Sequence, residues 1–126
     1  MQSFFDAYVE AALWSSTDES RPDGGDPLDK NYVPSDIARE TFEKMRADCE
    51  RFQTEHEEYL TAENTSTRYG VDAQAGHDFW LTRNGHGCGF WDGDWTEPAA
   101  TTLTEAAHKF GSYDLYVGDD GKIYGQ

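Results

Sequence analysis

A glycine-rich stretch at residues 77–91, HDFWLTRNGHGCGFW, contains the side chains whose types best suit catalysis. His86 lies between two glycines, Arg83 precedes it and Asp92 follows shortly after. An imidazole in an exposed turn can act as acid or base when a carboxylate orients it, and a guanidinium can bind phosphate or carboxylate. One hypothesis is therefore a small enzyme or nucleotide-binding domain that uses the turn at residues 83–86 together with Asp92.

The competing interpretation of this turn is structural, and we favour a protein that is not an enzyme. Glycines are what a tight turn requires, and no motif places a nucleophile beside a base. The spacing of His77, His86 and Cys88, His-x8-His-x-Cys, matches none of the usual paired zinc-ligand patterns. We therefore predict no metal site and no cofactor.

Three tryptophans near this stretch, Trp80, Trp91 and Trp95, are candidates for a binding surface. Aromatic residues on strands are more often core residues than ligand platforms. If one or two of these tryptophans are exposed, a protein interface is the better interpretation, because tryptophan is enriched at interface hot spots.

The elements that position these residues are predicted from pattern. Residues 79–81 and 88–91 are rich in apolar side chains and flank Asn84 and Gly85, so they predict a β-hairpin around the turn. A second hairpin is predicted from residues 113–117 and 122–124, which flank a turn at residues 118–121.

Three helices are predicted around these hairpins. Residues 3–14 form an amphipathic helix, and residues 37–59 carry apolar side chains at steps of three or four over about seven turns. A short helix follows from a capping box of Thr102 with Glu105 to a stop at Gly111. Residues 15–33 and 61–76 are polar and predict loops.

The predicted fold class is α+β, with a small and mainly antiparallel sheet of two hairpins. It is covered by an N-terminal helix, one long acidic helix and one short helix. The length of 126 residues predicts a single domain, with a helical half at about 1–60 and a hairpin-helix-hairpin half at about 77–126.

The net charge of -15, from 25 acidic against 10 basic residues, limits which partners are expected. Binding to a nucleic-acid backbone depends on Lys and Arg, so direct nucleic-acid binding is not expected. The second half of the long helix is its more acidic half. Its carboxylates are the candidate contacts for a basic partner surface: Glu50, Glu55, Glu57 and Glu58. Simple solubility is the alternative reason for such a charge.

The N-terminal residues lack the features of a signal peptide, and no stretch is long and apolar enough to span a membrane. Cys49 and Cys88 fall on different predicted elements and do not suggest a disulfide framework. We therefore expect a cytoplasmic protein without a membrane partner.

Three segments carry a resemblance to a known group of proteins. They are AGHDFWLTRNGHGCGFWD at residues 75–92, DLYVGDDGKIYGQ at residues 114–126 and ALWSSTD at residues 12–18. Over about half of the chain, they resemble short, functionally uncharacterised proteins encoded by tailed bacteriophages. The resemblance implies a phage or prophage origin and a place of action in the cytoplasm of the bacterial host. It assigns no site.

The leading hypothesis is a small acidic phage accessory protein that binds a host or phage protein with a basic surface. Its specific version is an inhibitor that mimics the charge of DNA and blocks a nucleic-acid-binding factor, as in host takeover or anti-defence. A virion or assembly component is a further alternative that the sequence leaves open.

Overall fold

A computed structural model describes residues 2–20, 22 and 24–126 of the chain. The described residues form an α+β fold of four α-helices and two small antiparallel sheets. The helices are α1 (Phe4–Ser15), α2 (Arg39–His56), α3 (Val71–Arg83) and α4 (Ala99–Phe110). The strands are β1 (Thr17–Asp18), β2 (Asp26–Pro27), β3 (Leu115–Val117) and β4 (Ile123–Gly125), paired β1 with β2 and β3 with β4.

Helices α1 and α3 pack along each other at close range. The contact depends on Gly76, because a Cβ atom at this position would lie 2.0 Å from the carbonyl oxygen of Phe4. At the other end of α1, the indole Nε1 of Trp80 donates a hydrogen bond of 2.8 Å to Ser15 Oγ. The absence of a side chain at one end and this hydrogen bond at the other fix the two helices against each other.

The core is aromatic and is centred on Phe79 of α3, which is fully buried. Its ring stacks on Phe52 of α2 with centroids 4.2 Å apart and meets Phe110 of α4 edge-on at 5.1 Å. Phe4 and Tyr8 of α1 complete the shell at 6.0 and 5.4 Å. Every helix therefore contributes to one aromatic cluster, in which offset and edge-on pairs add to the gain from burial.

The irregular segments are attached through backbone hydrogen bonds. The hairpin of β3 and β4 joins the start of α2, where Ala38 N donates to Ile123 O at 2.8 Å and Gly125 N to Thr41 Oγ1 at 3.2 Å. The loop after α2 pairs with the loop before α4, since Ser66 N donates to Asp94 O at 3.0 Å. The second pairing holds Asp94 close to the start of α3.

Several sequence predictions are confirmed. The N-terminal helix, the long acidic helix, the short helix that stops at Gly111 and the C-terminal hairpin are all present. Helix α2 begins two residues later than predicted, because Ile37 is extended and pairs with Ile123. The N-terminal cap of α4 differs from the predicted box. The carboxylate of Glu97 accepts hydrogen bonds from the Thr101 amide at 2.8 Å and hydroxyl at 2.7 Å.

The hairpin predicted at residues 77–91 is wrong, and so is the hairpin-helix-hairpin description of residues 77–126. Residues 71–83 are the helix α3, residues 84–98 are irregular, and part of the predicted loop at residues 61–76 is helical. Helix α3 is buried on nearly all sides, so it has no apolar stripe from which a helical period could be recognised. The second small sheet is instead β1 with β2, in the segment predicted as loop, of which residues 21 and 23 lie outside the described residues.

The close approach of α1 and α3 predicts that Gly76→Ala destabilises the protein. Alanine is favoured over glycine in a helix by about 1 kcal/mol, but relieving the clash with the Phe4 backbone requires moving one helix, at about 1–3 kcal/mol or more. The clash should prevail, and chemical denaturation would measure it. Gly87→Ala is the matched control, because a Cβ atom there meets nothing within 4 Å. A stabilised Gly76→Ala variant would contradict this packing.

Candidate functional site

A cleft of about 560 Å³ opens between α1 and α3 and is closed on one side by the two paired loops. Its floor includes Ala7 and Ala73, which are buried. Polar and aromatic side chains form the rest of the lining: Gln2, Glu10, Tyr69, Gln74, His77 and Asp94. We call this feature the α1–α3 cleft.

The imidazole of His77 is held in this cleft by a buried carboxylate. Asp78 is 2% exposed and accepts hydrogen bonds from Trp95 Nε1 at 2.7 Å and Gln74 Nε2 at 2.9 Å. The other oxygen of Asp78 lies 3.3 Å from His77 Nδ1, whose ring is about half exposed. Because Gln74 of α3 and Trp95 of the following loop fix Asp78, the orientation of the imidazole is fixed as well.

The electrostatic environment of His77 is strongly acidic. The hydrogen bond with Asp78 raises the pKa of His77 above its usual value, and the carboxylates of Glu10 and Asp92 act in the same direction against partial desolvation. The pKa of Asp92 is itself raised, first by desolvation and then by Asp78 and Asp94. The same carboxylates, after desolvation, raise the pKa of the Cys88 thiol. Cys88 therefore stays a thiol at neutral pH and is a poor nucleophile.

This arrangement can transfer protons and can attract positive charge. An imidazole oriented by a carboxylate is able to give or take a proton. A nucleophile beside it would be needed for covalent catalysis, and Cys88 is unsuited to that role because its pKa is raised. Attraction of a cation requires no such partner, since Glu10 and Asp94 line the same cleft as His77.

The sequence-predicted catalytic residues Arg83, His86 and Asp92 are not brought together. In the described part of the chain, no hydrogen bond or ion pair links any two of them. His86 is half-buried after the end of α3, and its backbone amide donates to Leu81 O at 3.0 Å. Asp92 is exposed and accepts from the Gly89 amide at 3.3 Å.

Arg83 is a core residue, which corrects its assignment as a ligand-binding cation of the turn. It is 4% exposed and donates from Nη1 to Asp48 Oδ2 at 2.9 Å and to the Tyr8 hydroxyl at 3.0 Å. Its Nε donates to Gly111 O at 2.8 Å, and Nη2 donates to Phe110 O at 3.3 Å. The donor groups of this side chain are thus used inside the protein.

The tryptophans are divided between core and surface. Trp80 meets Tyr8 edge-on with centroids 5.3 Å apart, and Trp95 packs on Phe90 at 5.4 Å. Both indoles are buried, which corrects their assignment to a binding surface. Trp91 is 52% exposed and is the one member of this trio at the surface.

The four candidate glutamates of α2 are all exposed: Glu50, Glu55, Glu57 and Glu58. Helix α2 ends at His56, so Glu55 lies in its last turn, and Glu57 and Glu58 lie just beyond it. Glu55 forms an ion pair of 3.3 Å with Arg51. Within the described residues, Glu57 and Glu58 form no ion pair. We call the last three of these residues, Glu55, Glu57 and Glu58, the α2 acidic end.

Comparison of the chain with protein-family models, with curated proteins and with solved structures finds no match. Among the described residues, no three His, Cys, Asp or Glu side chains are grouped so as to hold a metal ion. Within the same residues, every helix is too short or too polar to cross a bilayer.

The pairing of His77 with Asp78 was not predicted from the sequence, where His77 was considered only in the rejected zinc spacing with His86 and Cys88. A helix assignment for residues 71–83 would have been the necessary signal, because it separates these residues from the turn. Even then, the contribution of Glu10 and Asp94 to the cleft depends on the tertiary contact with α1 and on the pairing of two loops.

The burial of Arg83 predicts that Arg83→Met lowers stability by about 3–5 kcal/mol, because it leaves Asp48 and the Tyr8 hydroxyl without their buried partner. Urea denaturation would measure the loss. His86→Ala is the comparison variant and should change stability by less than about 1 kcal/mol. Near-normal stability of Arg83→Met would contradict the structural role and return Arg83 to the list of ligand-binding candidates.

The raised pKa of His77 predicts a pH-dependent contribution to stability. The protonated form is favoured in the folded state, so the contribution is full below the unfolded-state pKa of about 6.5 and disappears as pH rises through the folded-state pKa. His77→Gln keeps a hydrogen-bond donor but cannot protonate. Its deficit in Tm relative to the unmodified protein should therefore be largest below about pH 6. A deficit that grows with rising pH would contradict the assignment.

Proposed function

We propose that this protein is a small acidic accessory protein of phage origin, acting in the cytoplasm of the bacterial host. It binds a host or phage protein through a basic surface of that partner. In the specific version of the proposal, its carboxylates occupy positions that a nucleic-acid backbone would otherwise fill. The proposed origin rests on the resemblance of residues 12–18, 75–92 and 114–126, and the proposed mode of binding rests on the net charge.

The observation that carries the proposal is the position of the α2 acidic end. The C-terminus of a helix bears a partial negative charge, where cations stabilise the helix and carboxylates destabilise it. Glu55, Glu57 and Glu58 nevertheless gather at this end of α2, and His56 is the one basic residue in the last turn. Carboxylates placed where they weaken their own helix support a role in binding, since the folded state alone does not favour them.

The distribution of the basic residues supports the same conclusion. Arg83 is buried, and Lys30, Arg39, Lys44 and Arg51 each pair with a carboxylate. The guanidinium of Arg46 lies over the rings of Phe5 and Phe42, at 4.6 and 5.3 Å from their centroids. Among the residues that the structure describes, few cations are therefore left to attract an acidic partner or a phosphate backbone.

The alternative function, an enzyme or nucleotide-binding domain at residues 83–86, has little support from the geometry. A nucleotide phosphate would need the Arg83 guanidinium, which is enclosed by Asp48, Tyr8 and two backbone carbonyls. Proton transfer at His77 is the form of enzymatic function that the arrangement leaves available.

The first experiment is a pull-down with the tagged protein from nuclease-treated bacterial lysate, at low and at high salt, with mass spectrometry as the readout. We expect a stoichiometric partner that is retained at low salt and released at high salt, because exposed charges are screened over about 10 Å at 0.1 M. Replacing Glu57 and Glu58 together by Gln should weaken the complex about 5- to 30-fold at low salt. The same change should raise Tm by about 2–6 °C.

The matched control replaces Asp114 and Asp119 by Asn. It also removes two negative charges, but from exposed positions in the C-terminal region. This region packs at the start of α2, so the control charges lie toward the opposite end of the helix from Glu57 and Glu58. Equal weakening by both double variants would contradict a localised contact. A partner indifferent to salt would contradict charge mimicry, and the absence of any partner at either salt would contradict the proposal.

A further inference from the structure

The α1–α3 cleft combines three kinds of surface. Its floor includes the methyl groups of Ala7 and Ala73, its aromatic wall is Tyr69, and carboxylates of Glu10 and Asp94 stand at exposed positions of its rim. Tyr69 is 68% exposed and has no ring partner among the described residues. None of the lysine and arginine side chains in the described part of the chain lines the cleft.

These surfaces match a long side chain that is apolar along its stem and positively charged at its end. Arginine and lysine bury their methylene groups on apolar surface while the charged head stays at a polar edge. A guanidinium pairs with carboxylates through several donors and stacks on an aromatic face, which an ammonium does less well. An anionic ligand would be repelled by Glu10 and Asp94, and a neutral one would desolvate these carboxylates without compensation.

We propose that the α1–α3 cleft binds an arginine side chain of the partner protein, with its guanidinium between Glu10 and Asp94 and against Tyr69. The inference rests on the proposed function in that the partner presents a basic surface. It adds a second contact that is distinct from the α2 acidic end. Arginine in such a pocket is a typical interface hot spot, whereas exposed glutamates at a helix end mainly steer association.

His77 makes the binding dependent on pH. The charged and titratable groups around it are Asp78 on its own helix, Glu10 on α1, Asp92 and Asp94 in the loop before α4, and Tyr69 in the loop before α3. A protonated His77 is a cation in this same set of carboxylates, so it competes with the incoming guanidinium. Binding therefore releases a proton, and by reciprocity the affinity for arginine increases as pH rises.

The test is an NMR titration of the full chain with two peptides, N-acetyl-Gly-Arg-Gly-amide and the same peptide with citrulline in place of arginine. Citrulline has nearly the same shape but no charge. We expect the arginine peptide to give saturable amide shifts at Ala7 and Ala73 and to lower the apparent pKa of His77, followed through its ring proton. The citrulline peptide should do neither. Absence of these shifts with the arginine peptide, or equal shifts with citrulline, would overturn the proposal.

Two variants of the cleft and one control sharpen the result. Glu10→Gln and Asp94→Asn should each weaken binding of the arginine peptide about fivefold or more, because each removes one charged acceptor. Glu105→Gln is the control, since Glu105 is an exposed carboxylate of α4 that does not line the cleft. Unchanged affinity in both cleft variants, or equal losses in all three, would overturn the site.

The peptide titration needs no partner protein, so its failure can be distinguished from failure of the proposed function. If the peptide does not bind but the pull-down depends on Glu57 and Glu58, only the cleft is rejected. If the peptide binds but lysate yields no partner, the cleft stands as a cation site and the accessory-protein proposal is rejected.

Discussion

The fold depends on one buried guanidinium, that of Arg83. It reaches from the end of α3 to the Tyr8 hydroxyl on α1, to the Asp48 carboxylate on α2 and to the two carbonyl groups at and just after the end of α4. Removing this charge from water is expensive, and only a set of partners that uses its donors offsets the cost. Lys44 shares the Asp48 carboxylate at 2.8 Å and so helps balance its charge from the surface side. The relative positions of all four helices are thereby tied to one side chain.

The site geometry follows from the same constraint. Arg83 orients the C-terminal end of α3, and Gly76 lets the middle of α3 approach the start of α1 at Phe4. With these two contacts in place, His77 and Gln74 face the cleft that Glu10 of α1 also lines. Helix α3 thus carries both Arg83, which forms a buried ion pair, and His77, which lines the acidic cleft, roughly two turns apart.

The parts of the fold that were predictable from sequence are those with one buried apolar face and one solvent-exposed polar face. Helix α2 has its stripe of Thr41, Met45, Cys49 and Phe52 buried, with glutamates outside, and the C-terminal hairpin has a recognisable glycine turn. Helix α3 violates this condition, because Asp78, Thr82 and Arg83 are buried together with Phe79 and Leu81. The cost of burying its polar residues is offset by hydrogen bonds to partners that are distant in sequence, such as Asp48 and Trp95. The hydrophobic pattern of a short sequence window cannot reveal such partners. Part of helix α3 was therefore predicted as a hairpin strand.

The predicted site divides along the same line. Exposure of the α2 acidic end was predictable, because nothing in the helical pattern placed those glutamates on the apolar stripe. The burial of Arg83 was not predictable, because it depends on hydrogen bonds to groups elsewhere in the chain. A core position was the commoner expectation for the tryptophans, but the sequence did not reveal the hydrogen bonds that fix Trp80 and Trp95. The charge of Arg83 beside a glycine-rich turn suggested ligand binding or catalysis, whereas this charge stabilises the core.

The two proposed contacts have different physical roles, and this difference explains why a protein would keep both. In the proposed complex, exposed carboxylates at the end of α2 would act at a distance and mainly raise the rate of association, an effect that salt suppresses. A cleft with an apolar floor and an aromatic wall acts only on contact and slows dissociation, because desolvated pairs are screened less. Long-range attraction alone would bind any basic surface. Adding a cleft that takes one arginine restricts this attraction to a surface with the right shape.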